Sequence, residues 1–130
     1  MIRKEQVLRI HQLLIDQFGG SNGVRDIGVL ESAINRPYQT FDGNSLYPEP
    51  IDKAAAILES IVKNHPFVDG NKRTGYVLMR LVLMEAKKDI NASQDEKYEF
   101  VIKIASSAYD FDDIKDWLNR KVVPINESTQ

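Results

Sequence analysis

Cysteine is absent from the 130-residue sequence, so no disulfide can support the fold and no thiolate cluster can hold zinc. Only two histidines occur, His11 and His65, far apart in the chain, too few for an ordinary zinc site. No apolar run approaches the roughly 20 residues needed to cross a bilayer, and the first residues lack the apolar core of a secretory leader. No GxxxxGK[ST] string is present, which excludes a Walker A loop. Charge is nearly balanced: 17 Lys and Arg against 19 Asp and Glu give a formal net charge of −2, without the basic footprint of a nucleic-acid binder. Repeats and low-complexity tracts are also missing. The expectation is a soluble, cytoplasmic chain of one domain, long enough to bury a single core.

What is present is helical periodicity interrupted by one dense run of chemistry. Residues 4–18 repeat apolar positions at Val7, Ile10, Leu14 and Phe18, with Gly19 and Gly20 as the stop. His11 lies beside that stripe and reads as packing or surface. Asp26 caps a short helix that ends at Pro37. Residues 38–50 look irregular, with Tyr38, Phe41 and Tyr47 around an Asp42-Gly43 turn. Residues 51–64 form a helix through Ala54, Ile57, Leu58, Ile61 and Val62, and residues 71 to about 87 form another, apolar nearly all round. Ser93 and Glu96 make a capping box for a fifth helix, and a last one runs from about Asp112 to Arg120. Trp117 reads as a packing anchor. Residues 1–121 make the domain, and 122–130 read as a loose, flexible tail.

Between the two central helices stands His65-Pro66-Phe67-Val68-Asp69-Gly70-Asn71-Lys72-Arg73-Thr74-Gly75. Pro66 biases His65 toward extended backbone at the point where the preceding helix stops. Asp69, Gly70 and Asn71 then form the turn that starts the next helix. A helix N-terminus presents unpaired N–H groups and the positive end of the macrodipole, a seat for a phosphate. Lys72 and Arg73 fall in that first turn, where each cation opposes the dipole by about 0.3 to 1 kcal/mol. An anionic ligand reverses the sign of that penalty, with Arg73 suited to a bidentate grip and Lys72 to a point charge. Gly70 lets the backbone approach closely. Asp69 offers a hard oxygen for Mg²⁺, and His65 a general base for a hydroxyl. Taken singly, each has an ordinary reading: His65 as a helix-terminating residue, Asp69 or Asn71 as an N-cap, Lys72 and Arg73 as a solvated face. Their coincidence in eleven residues favours a site.

The run from His65 to Arg73 resembles the signature of the Fic/Doc family, HPFx[D/E]GN followed by Gly or Lys and then Arg. Members that transfer AMP usually carry Gly after the Asn and a second Arg three residues beyond the first. Here those positions hold Lys72 and Tyr76. Both departures, and the Asn-Lys-Arg-Thr run, resemble the Doc, or death-on-curing, branch, as does the stretch from Asp26 to Ala33.

The resemblance implies an all-α, Fic-type bundle of about six helices, with a short hairpin or flap before the motif that aligns a target segment as an added strand. It implies His65 as general base, Asp69 as the metal-linked carboxylate, and Gly70, Asn71, Lys72 and Arg73 as the nucleotide phosphate-binding turn. The cofactors implied are ATP, as co-substrate, and Mg²⁺. The Doc branch implies a toxin of a toxin-antitoxin system, a kinase that moves the γ-phosphoryl group to a hydroxyl of elongation factor Tu and stops translation. The alternatives are Fic-type AMP transfer and a non-catalytic toxin-antitoxin subunit. Many Fic proteins silence themselves through a helix of the form [S/T]xxxE[G/N]. No such string occurs here, and the closest, Ser45 to Pro50, is interrupted by prolines. The implied inhibitor is therefore a separate antitoxin of the Phd type, whose disordered C-terminal part folds on binding.

Overall fold

A computed structural model of the chain describes residues 1–125. Six α-helices account for most of it: α1 Lys4–Phe18, α2 Ile27–Asn35, α3 Pro50–Asn64, α4 Asn71–Glu85, α5 Gln94–Ala105 and α6 Phe111–Lys121. Two antiparallel pairs complete the fold, β1 Thr40–Phe41 with β2 Asn44–Ser45, and β3 Lys88–Ile90 with β4 Val122–Pro124. This is the all-α bundle with a hairpin ahead of the motif that the sequence implies. Among the described residues no helix is long and apolar enough to cross a membrane.

Helix α3 is the centre. Ala54, Ala55, Ala56, Ile57, Leu58, Ile61 and Val62 are all fully buried, so apolar surface covers most of its circumference. It packs closely on α4 through Gly75, where an added Cβ would meet Val62 Cγ2 at 3.0 Å and Ile61 Cβ at 3.4 Å. Leu78, Met79, Val82 and Leu83 of α4 continue that contact into the core. Trp117 stacks on Phe100 at 3.8 Å between ring centroids and anchors α6 to α5, as its composition suggests.

The two flanking helices meet at the motif, and the connection departs from the sequence reading at its first residue. His65 caps α3 in the left-handed region, at φ 51 and ψ 60, rather than extended. The reversal is held from outside. Arg25 donates Nη2 to the Asn64 carbonyl at 2.7 Å and Nε to the His65 carbonyl, while the Pro66 carbonyl accepts from the backbone of Arg25 and Asp26. A non-glycine residue in this region costs about 1 kcal/mol or more, and here three neighbouring carbonyls are satisfied in return.

The turn itself is closed by Asn71. Its Oδ1 accepts from the Phe67 N–H and its Nδ2 donates to the Phe67 carbonyl, both at 3.0 Å. Phe67 and Asn71 are both buried, so water cannot replace either bond.

Three further expectations are corrected. Phe18 does not belong to the buried face of α1; Val7, His11 and Ile15 do, and Phe18 is half exposed. The strand β3 was not anticipated. Residues 122–124 of the expected flexible tail are β4, in register Lys88↔Pro124, Asp89↔Val123 and Ile90↔Val122; residues 126–130 of that tail lie outside the described residues. The sheet is tied to α4 by Arg80, which donates Nε at 3.0 Å and Nη2 at 2.7 Å to the Asp89 carboxylate. Those hydrogen bonds hold the Asp89 carboxyl below its ordinary 3.8.

Replacing Asn71 by Ala should lower unfolding stability by about 1–3 kcal/mol, because it strands the buried amide and carbonyl of Phe67; urea denaturation measures the loss. Asp89→Asn should cost only about 0.5–1 kcal/mol at neutral pH, since the ion pair is partly exposed. A depressed carboxyl contributes stability above its unfolded value and loses it on protonation. The difference between Asp89→Asn and wild type should therefore shrink as pH falls below 3.8, as thermal melts across pH would reveal.

Candidate active site

A cavity of about 510 Å³ opens between the start of α4 and one face of α5. His65, Asp69, Gly70, Asn71, Lys72 and Arg73 all line it, so the fold brings every residue singled out in the motif to one wall. Tyr76 and Val77 extend that wall by a turn. The facing wall is a stripe of α5: Gln94, Lys97, Tyr98, Val101 and Ile102.

The floor of the site is the bare end of α4. Gly70 is the N-cap residue, at φ 79, and no side chain among the described residues caps the helix. The dihedral favours glycine, and an added Cβ at Gly70 would also sit 3.2 Å from Ile15 Cδ1, close enough that this side chain would have to shift slightly. Thr74 makes the first helical bond, to the Gly70 carbonyl at 3.0 Å. The N–H groups of Asn71, Lys72 and Arg73 have no hydrogen-bond partner among the described residues. Three amides at the positive end of a helix are an anion seat.

The motif side chains divide into those that face this seat and those that shape it. Asn71 shapes it. Its side chain is committed to Phe67, and only its backbone amide is available to a ligand. Lys72 and Arg73 are exposed, and among the described residues neither is paired with a carboxylate. The Arg73 guanidinium instead lies 4.1 Å from the centroid of the Phe18 ring. His65 is exposed, and among the described residues nothing bonds its imidazole.

Asp69 accepts at Oδ1 from the Gly70 N–H, 2.8 Å, and at Oδ2 from the Ser21 N–H, 3.1 Å. These two backbone donors push its carboxyl below 3.8, so it is charged at neutral pH. Each oxygen keeps acceptor capacity. Among the described residues no group of three or more His, Cys, Asp or Glu could hold a metal ion. The donor set thus fits Mg²⁺ held by one carboxylate and a phosphorylated substrate, and it does not fit an all-protein cage.

Several contributors were not legible as site residues. His11 is 4 % exposed, stacks on Phe67 at 3.8 Å with the rings 5° from parallel, and donates Nε2–H to the Asp69 carbonyl at 2.8 Å. It packs, as read, but what it packs is the turn. The α5 wall was missed because periodicity identifies a helix without saying which distant element it faces. Tyr76 is half-buried, with a hydroxyl that has no hydrogen-bond partner among the described residues and whose pKa burial pushes up to about 12. No residue of the hairpin β1–β2 is among the residues that line the cavity, and its strands are exposed, Phe41 at 76 %. Its base is tied down by Arg36, which donates to Tyr47 Oη, Glu59 and Ser60, each at 2.9 Å.

Comparison with known proteins is consistent with this geometry. The family model described as Fic/DOC matches residues 1–83. The chain is 52% identical to Toxin Doc of Mycolicibacterium smegmatis (strain ATCC 700084 / mc(2)155) over 59 residues, which cover 45% of this chain and 45% of that protein. It is 33% identical over 87 residues to Protein adenylyltransferase Fic of Drosophila mojavensis and of Drosophila melanogaster, a stretch covering 65% of this chain and 17% of each fly protein. The matched stretch spans less than half the length of each of these relatives. The family match alone takes in α1 through most of α4, including the whole 69–73 turn and His65, and on that ground the chain belongs to the Fic/DOC family.

Proposed function

We propose that the chain is a Doc-like toxin, an ATP-dependent protein kinase that transfers the γ-phosphoryl group to a hydroxyl of a translation factor. The observation that carries the reading is an uncapped α4 terminus flanked by Lys72 and Arg73, with a free imidazole at His65 on the same cavity wall. The phosphates of ATP lie against the 70–73 turn, where backbone amides and the two cations offset their charge. His65 takes the proton of the target hydroxyl. The oxygen forms its bond to the γ-phosphorus as the bridging P–O bond breaks, and ADP leaves with the electron pair. Asp69 would hold Mg²⁺, which supplies further neutralisation of phosphate charge.

The choice of γ over α transfer rests on two side chains. Lys72 puts a long cation where AMP-transferring relatives of the family usually have glycine, and Tyr76 puts a neutral phenol where they have a second arginine. The resemblance to the Doc branch supplies the partners: elongation factor Tu as target, an antitoxin of the Phd type as inhibitor, and hence a cytoplasmic site of action. Neither nucleic acid nor membrane is among them. The second reading is AMP transfer, favoured by the similarity to the fly proteins named adenylyltransferases.

The two readings separate in one experiment. Purified protein, elongation factor Tu and Mg·ATP labelled at the α- or the γ-phosphate, in parallel, should give labelled target from the γ position alone. Label from the α position would select AMP transfer and overturn the kinase reading. His65→Ala should lower the transfer rate by roughly 10²- to 10⁴-fold while nucleotide affinity measured by titration calorimetry stays close to wild type. Full activity in that variant would remove His65 as the base. Arg73→Ala should weaken Mg·ATP binding by roughly tenfold or more, the scale of a charge-assisted pair; unchanged affinity would argue against its phosphate role.

A further inference from the structure

Helix α1 backs the phosphate turn along one stripe. His11 donates to the Asp69 carbonyl, Ile15 closes over Gly70, and Phe18, seven residues beyond His11, carries the Arg73 guanidinium on its ring. The chain then bends at Gly19 and Gly20, and the Ser21 N–H reaches the Asp69 carboxylate. Phe18 is the outlier in this stripe. It is 53 % exposed, so burial in the core does not account for a large aromatic ring there.

We propose that Phe18 is a positioning residue for the transfer reaction: the face of its ring holds the Arg73 guanidinium in place before an anionic ligand arrives. The inference rests on the reading that the 70–73 turn binds the phosphates of ATP. An exposed arginine has rotamer entropy to lose on being fixed, and at the start of a helix the dipole repels it. A carboxylate partner would fix it but would occupy its donors and cancel its charge. An aromatic face attracts the cation through its quadrupole and consumes no N–H. Among the described residues the Arg73 side chain makes no hydrogen bond, so all five donors stay available to phosphate oxygens. Holding the group beforehand reduces the ordering that binding must otherwise impose.

The test measures Mg·ATP affinity by titration calorimetry, and transfer kinetics, for Phe18→Leu and Phe18→Tyr in the wild-type and the Arg73→Ala backgrounds. Thermal melts check that each variant folds, which the exposure of Phe18 favours. Phe18→Leu should weaken Mg·ATP binding about two- to fivefold, the range of an exposed cation–π contact, and should raise KM more than it lowers kcat. Phe18→Tyr, which keeps the ring, should restore wild-type affinity. In the Arg73→Ala background Phe18→Leu should have no further effect. Wild-type affinity in Phe18→Leu, or the same loss whether or not Arg73 is present, would overturn the positioning role and leave the transferase reading standing. A wild-type protein with no affinity for Mg·ATP would overturn both.

Discussion

The reciprocal pair of hydrogen bonds between the Asn71 side chain and the Phe67 backbone fixes the turn without covering the first amides of α4. A helix start is normally fixed by a side chain that bonds forward onto the first amides, and that side chain then occupies the groups a ligand would need. Here the fixing bonds run backward. Asn71 reaches back to Phe67, and Asp69 is held by the amides of Gly70 and Ser21. The turn is therefore rigid although the amides of residues 71–73 remain bare. Rigidity of this kind matters in group transfer, where a misplacement of about 1 Å can cost 10²-fold in rate.

The other helices show that α4 is an exception. Each of α3, α5 and α6 begins with a capping box and carries acid in its first turn: Asp52, Asp95 with Glu96, and Asp112 with Asp113. Helix α4 has no cap side chain, no acid and two cations at the same positions. The contrast lies within one chain, under one set of solvent conditions, so it cannot be put down to composition. Helix α1 also lacks a cap side chain but carries Glu5 in its first turn, and α2 lacks an acid there but is capped by Asp26, so among the six described helices α4 alone has neither, a cost that an anion would offset.

Much of this was legible in the sequence because it is local. The helix containing Asn71, the caps at Asp26 and Ser93, and the turn at Asp42 and Gly43 each depend on residues within a few positions of one another, and each forms. What the sequence hid is non-local. The strand at Lys88–Ile90 exists only because Val122–Pro124 returns to pair with it, more than thirty positions later. His65 adopts the left-handed region because Arg25, forty residues earlier, grips its carbonyl, which overrides the bias that Pro66 imposes. Phe18 and His11 look interchangeable with core positions of an amphipathic helix until the motif folds against them.

The same distinction bears on which phosphate the site favours. A second cationic clamp on α4 would have to come from one turn or so beyond Arg73, and Tyr76 offers a neutral phenol there, its ionisation pushed up to about 12 by burial. Arg80, one turn further, is the next cation on the helix. It is not available in its place, because Asp89 takes two of its donors and that pair anchors the β3–β4 sheet. Among the described residues lining the cavity, positive charge on the α4 wall is thus limited to residues 72 and 73, with Lys97 on the facing α5 wall. A polyphosphate seated on this turn, as proposed, would be gripped strongly at one end only. That asymmetry would suit the proposed transfer, in which a nucleotide is held by part of its phosphate chain and one phosphoryl group departs.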